Sequence, residues 1–242
     1  AIENAEEAVY EEKKMEEMEV CFLMDRFGYM KLIDKNAYER NKEAVHNENK
    51  YVFNCMNTDK ICIFTDTGKM HTIKAVDIPL GRFRDKGTPV DNLSNYDSSK
   101  ERMLYVAPVG QLRSDRLLFV TKTSMCKLVE GAEFDVAKRT IASTKLADED
   151  ELIFIGSASE MEQIVLQSHG GCFLRFLTQE VSTMKKTALG VRGMKLADDD
   201  YLEHAYLLAG HQEYTISYHD KEYALNKVRL AKRDTKGIKP RI

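Results

Sequence analysis

"TALGVRGMKL", residues 187 to 196, sets Gly190 and Gly193 around a valine and an arginine, then continues through Met194-Lys195-Leu196 toward the acidic run Asp198-Asp199-Asp200. Glycine inside an apolar, strand-like run marks a bulge, a sharp bend or a close approach by another backbone. The stretch therefore reads as a bent strand carrying a cation at its bend. It also recurs: "DKGTPVDNL" (85–93) and "KRTIASTKL" (138–146) end on Leu93 and Leu146 as it ends on Leu196, and "DTKGIKPRI" (234–242) is one more copy. Every clear copy carries Lys or Arg.

A second element repeats with it. "MDRFGYMKLI" from 24, "FTDTGKMHTI" from 64, "VTKTSMCKLV" from 120, "QSHGGCFLRF" from 167 and "SYHDKEYALN" from 217 each read strand, short polar turn, strand. The turns centre on Gly28, Gly68, Ser124, Gly171 and Lys221. Glycine at three of them suits a hairpin position of positive φ, whereas Ser124 and Lys221 depart from the pattern. The period, roughly 40 to 55 residues, is that of a propeller blade of about four strands. Elsewhere "YVFNCM", "ICIFT", "MLYVAPV", "RLLFVT", "LIFIG", "EQIVLQS" and "HAYLLAG" are short β-branched and aromatic runs, the mark of strands. Sustained helical periodicity is confined to residues 2–19, which divides the chain into an acidic linker or helix (1–20) and one all-β domain (21–242).

Composition narrows the function classes. A hydrophobic content of 43% and a charged content of 31% describe an ordinary globular chain, with no run approaching the ~20 apolar residues of a membrane span. The N-terminus is acidic, unlike a signal peptide. Five scattered cysteines (Cys21, Cys55, Cys62, Cys126, Cys172) form no CxxC pair, so they read as reduced thiols of a cytoplasmic protein. The formal net charge is −3, yet eight glutamates lie in the first 20 residues, leaving the remainder net positive. A basic surface on an acidic chain follows.

At this point a resemblance emerges. The runs "FTDTGKMHTIKAVDIPLGRFRDKGTPVDNL" (64–93) and "KKTALGVRGMKL" (185–196) resemble the repeats in the C-terminal domain of the A subunit of bacterial type IIA topoisomerases, DNA gyrase and topoisomerase IV. The resemblance covers the chain from about residue 20 onward. It implies a β-pinwheel, a propeller-like disc of about five four-stranded blades that exchange strands and whose basic rim binds and bends double-stranded DNA. It further implies two partners, an ATPase B subunit and the catalytic domains of the same A subunit. The DNA-cleaving tyrosine of that family lies in an upstream domain that these residues do not include, so the fragment is not catalytic alone. Gyrase carries a box of the form Gln-Arg-Arg-Gly-Gly-Lys-Gly in its first blade. Here the matching region after Tyr38 reads "ERNKEAVHN" (39–47), without glycine, which favours a decatenating and relaxing role over negative supercoiling.

The implied phosphate contacts are Lys31, Arg40 and Lys42 in the first unit; Arg82, Arg84 and Lys86 in the second; Lys138 and Arg139 in the third; Lys185, Lys186, Arg192 and Lys195 in the fourth; and Lys232, Arg233 and Lys236 in the fifth. Contacts to phosphate carry no base sequence, so binding is expected to be largely non-specific. Catalytic patterns are missing. The six histidines have no HExxH spacing, "SHGG" (168–171) lacks GxSxG and falls on a hairpin turn, and no Walker A or GxGxxG run occurs, so no cofactor is expected. A protein-interaction platform presenting the acidic runs 148–151 and 198–200 stays open as the alternative.

Overall fold

The computed structural model describes residues 16–241. Most of the helical reading of 2–19 lies outside them; within them Glu19 already starts a strand, two residues before the expected boundary.

Each repeat builds its blade around a hairpin. In the first, Glu19–Met24 and Tyr29–Ile33 are joined by a turn in which the Asp25 carboxylate accepts the amide N–H groups of Phe27 and Tyr29. The hairpins Lys60–Thr65 with Lys69–Lys74, Arg116–Thr121 with Met125–Glu130, and Gln163–Ser168 with Phe173–Leu177 follow the same plan. One outer strand of each blade comes from further along the chain: Tyr51–Met56, Met103–Pro108, Leu152–Ser157 and Leu202–Leu208 pair antiparallel with the first hairpin strand.

The other edge is filled by the following repeat. Thr88–Pro89 pairs with Tyr29–Ile33, Thr140–Ala142 with Lys69–Lys74, and Val191–Arg192 with Met125–Glu130, while Ile238 bridges Phe173. These are the recurrent segments of the sequence, and their exchange between blades explains the glycines. Gly190 has φ +105°, and a Cβ there would stand 2.6 Å from the carbonyl oxygen of Cys126. Gly87 and Gly237 repeat this against Met30 and Phe173, also at 2.6 Å. A bare Cα lets the arriving backbone close onto the hairpin.

Two expectations need correction. The fifth unit contributes only a two-stranded hairpin, Thr215–Tyr218 with Lys221–Ala224, so there are four blades and a terminal hairpin. Its turn is made by His219 and Asp220, both at positive φ, and Lys221 opens the second strand. Ser124, by contrast, takes the left-handed conformation of the glycines (φ 72°), and its hydroxyl accepts the Met194 N–H at 2.7 Å. That bond, given only by a polar side chain, offsets the strain of positive φ.

The core is a series of apolar layers between successive blades. Phe22, Met30, Ile63 and Val106 join the first and second; Phe64, Phe119, Val129 and Phe134 the second and third; Leu118, Leu128, Leu166 and Phe176 the third and fourth. Each end of the series is covered differently. The terminal hairpin packs Tyr218 and Tyr223 onto Phe173. At the other end, two short helices, Lys35–Arg40 and Lys42–Glu48, place Ala37 and Val45 against Cys21, Leu23 and Ile33. These helices lie outside residues 2–19, the one stretch where the sequence shows sustained helical periodicity. Asp34 caps the first by accepting the Ala37 N–H on its carboxylate, and no glycine or proline interrupts 35–50, which satisfies the helix-start rule.

Candidate nucleic-acid interface

After every hairpin but the first the chain makes one 3₁₀ turn: Ala75–Asp77, Gly131–Phe134, Thr178–Glu180 and Leu225–Lys227. In three of the four repeats it then touches the preceding blade through a parallel bridge, Leu32 to Leu80, Leu128 to Thr183 and Arg175 to Leu230. A loop follows before the exchanged strand returns antiparallel. Those loops, 81–87, 137–139, 184–190 and 231–237, carry the basic residues. Repetition places them on the same edge of four successive sheets.

The loops are also joined in series. The Arg139 guanidinium donates to Leu93 O at 3.1 Å, the Lys145 N–H to Lys186 O at 3.1 Å, and the Lys195 N–H to Thr235 O at 2.9 Å. Each exchanged strand thus ends against the loop of the next repeat, so the cation-bearing loops follow one another in series. Seven positions beyond the start of every 3₁₀ turn stands an exposed cation: Arg82, Lys138, Lys185 and Lys232. Only Arg82 of the four meets a carboxylate among the described residues, Asp85 at 3.8 Å, a loose pair on an open surface. Arg84, Lys86, Arg139, Lys195 and Lys236 are exposed on the same stretch. Phe83 of the first loop packs among Ala37, Val45 and Tyr38, so the helices bearing the exposed Arg40 and Lys42 abut that loop.

Four predicted residues are turned to internal work. Lys31 donates its ammonium to Phe83 O and to Asp85 O, the latter at 2.7 Å. Lys186 is half-buried with Nζ 3.3 Å from Glu133 O, and Arg233 donates to Glu180 O (3.0 Å) and Arg192 O (2.7 Å). Arg192 is clamped on Asp234, Nε to Oδ1 at 2.5 Å and Nη2 to Oδ2 at 3.3 Å. Those hydrogen bonds raise the Arg192 pKa and lower that of Asp234. Lys145 stands outside the set expected from sequence; it is exposed at the place Lys195 holds in its own repeat, and the shared Lys-Leu ending is the signal that marks it.

The acidic runs have structural duties. Asp150 accepts the Thr123 N–H and hydroxyl, and Asp200 accepts the Gly170 N–H. Burial pushes the Asp200 carboxyl up, but the donated hydrogen bonds outweigh it and hold it below the ordinary range. The adjacent Glu149 and Asp199 adopt positive φ in matching turns.

A family described as DNA gyrase C-terminal domain, beta-propeller, matches residues 59–98, 115–159 and 162–209, more than half of the sequence and three of its repeats. The chain belongs to this family. Among curated relatives, the DNA gyrase A subunit of Ureaplasma parvum is 25% identical over 236 residues, covering 91% of this chain and 28% of its own length. Its counterpart in Clostridium acetobutylicum is 28% identical over 205 residues, covering 80% of this chain and 25% of its own. This domain therefore spans less than a third of such A subunits. The folds agree as well. A crystal structure of the C-terminal domain of DNA topoisomerase IV superposes with a TM-score of 0.80 at 22% identity, covering 93% of this chain and 73% of that one. The ParC C-terminal domain of E. coli gives 0.71 at 13%, covering 92% and 94%. The architecture is the β-pinwheel found at the C-terminus of topoisomerase A subunits, and among the described residues no helix is long and apolar enough to cross a membrane.

Proposed function

We propose that this domain binds double-stranded DNA along the row of loops, bends it, and presents the segment to the catalytic domains of its A subunit, working with an ATPase B subunit in the cytoplasm. The observation that carries the reading is the exposed cation repeated at one loop position in four successive units, on segments linked in series by hydrogen bonds. Duplex DNA offers one charge per about 1.7 Å of its axis, so cations recurring once per repeat suit phosphate contacts that read no sequence and favour a bendable duplex. The quadruple variant Arg82→Ala, Lys138→Ala, Lys185→Ala, Lys232→Ala tests it. Removing one phosphate contact lowers the slope of log affinity against log salt by about 0.9, so the slope should fall by roughly 3 to 4. An unchanged slope would sink the proposal.

For the enzyme as a whole we favour decatenation and relaxation. The region matching the wrapping box is built as the helices Lys35–Arg40 and Lys42–Glu48, with no glycine in it. A gyrase role is the second reading, and the names of the sequence relatives favour it. A topology assay comparing the full enzyme with one lacking this domain separates them. Loss of decatenation with no supercoiling to lose supports the first, and loss of negative supercoiling the second. A partner platform draws less support, since Asp150 and Asp200 are already engaged with their own turns.

A further inference from the structure

Lys127 is a charged side chain only 2% exposed, and the DNA contacts do not use it. Its ammonium donates to Lys186 O at 2.8 Å and Ala188 O at 2.6 Å and lies 5.6 Å from the centre of the Phe119 ring. Lys31 does the same in the first blade, donating to Phe83 O and Asp85 O and facing the Phe83 ring at 5.2 Å. The correspondence is positional. The residues after them, Leu32 and Leu128, make the matching parallel bridges to Leu80 and Thr183. In each case the accepting carbonyls belong to the fourth and second residues before the glycine that closes the loop, Gly87 or Gly190.

In the second blade this position holds His71, buried, with Nδ1 2.9 Å from the Thr140 hydroxyl and Nε2 2.9 Å from Glu101. It ties down the shortest loop through a side chain. The fourth blade has Leu174 there, and the neighbouring Arg175 donates instead to Val228 O at 2.8 Å, ahead of the loop. A cavity of about 240 Å³ lies beside Leu174, between Phe173 and the loop residues Thr235 and Lys236.

Two carbonyls drawn inward fix which side chains face out. In the first loop Phe83 is buried while Arg82 and Arg84 are exposed; in the loop of the fourth repeat Lys186 is half-buried while Lys185 and Thr187 are exposed. We infer that Lys31 and Lys127 are positioning residues: internal ammonium groups that hold the DNA-facing loops 81–87 and 184–190 in the shape that presents their cations. This deepens the DNA-bending reading and rests on it. An alkyl chain of similar length would keep the packing and release the carbonyls, loosening the loop without touching DNA-contacting groups.

The test uses Lys127→Met in this domain, beside Lys221→Met, which removes an equal charge from the terminal hairpin. Two readouts are taken, amide hydrogen exchange across 184–190 without DNA and duplex affinity as a function of salt. Lys127→Met should speed exchange in 184–190 at least tenfold, weaken DNA binding several-fold and lower the salt slope by about one contact's worth, while Lys221→Met leaves exchange there unchanged. Lys127→Ala with added ethylammonium should regain slow exchange and affinity, and ethanol should not substitute. Should Lys127→Met loosen the loop yet bind DNA with unchanged affinity and slope, the positioning role is overturned and the DNA reading stands. Should the unaltered domain show no salt-dependent duplex binding, the underlying reading falls instead. If Lys127→Met fails to fold, Lys31→Met with exchange read over 81–87 decides on the same criteria.

Discussion

Gly190 and Gly193 sit three residues apart in one exchanged segment, and the structure assigns them unequal duties. Gly190 combines φ +105° with a backbone oxygen, that of Cys126, 2.6 Å from where a Cβ would be. Neither obstacle yields without moving the sheet. At Gly193 the nearest atoms are the Leu166 methyl at 2.6 Å and the Cys126 sulfur at 2.7 Å, side-chain ends that can shift. Gly190→Ala should therefore cost about 2 to 4 kcal/mol, and Gly193→Ala about half as much, measured by urea unfolding. Equal losses would refute the distinction. Sequence shows both glycines as a bend but cannot rank them, because the ranking depends on Cys126, far back along the chain in the preceding blade. Ser124 defies a local reading for the same reason: its positive φ is supported by the Met194 N–H, a bond visible only after exchange.

The loops show what a repeat pattern conveys about an element and what it hides. Hairpin turns at Gly28, Gly68 and Gly171 and the four exchanged segments are legible because each is a local signal of turn chemistry. Whether a loop cation faces water is not local. Lys31, Lys186, Arg192 and Arg233 read in sequence like Lys185 and Lys232, yet the first four spend their charge on Asp85 O, Glu133 O, Asp234 and Glu180 O. The helices within 35–48 escape the repeat pattern, although the Asp34 cap is in plain sight. From this follows a contrast within the last two exchanges. Lys232→Ala, removing an exposed cation with no carboxylate partner among the described residues, should weaken duplex binding about threefold and lower the salt slope by about 0.9. Arg192→Ala frees Asp234 within loop 231–237, so it should weaken binding mainly through repulsion and through a less firmly held loop. Its signature is faster proteolytic nicking of that loop, which Lys232→Ala should not produce.

At the scale of the whole molecule, the layered core binds stability to pH through buried thiols. Burial raises the pKa of Cys21 to about 11 and those of Cys55, Cys62 and Cys126 to about 12. A thiol freed by unfolding titrates near 8.5. Above that pH the unfolded chain holds fewer protons than the folded one, so stability is full below about 8.5 and declines as pH rises toward the folded values. Lys127 works in the opposite direction: burial lowers its pKa to about 8, so between there and the usual value near 10.4 the unfolded chain holds the extra proton, and rising pH returns part of the stability. Four thiols act against one ammonium, so the net effect of these groups is a loss of stability toward alkaline pH. The urea midpoint should hold level from pH 7 to 8.5 and fall steeply by pH 10. Cys126→Ala should flatten that fall by about a quarter of the thiol contribution, while Lys127→Met should steepen it. These opposite changes belong to two side chains of one strand, Met125–Glu130, so a general alkaline weakening of the fold would not reproduce them.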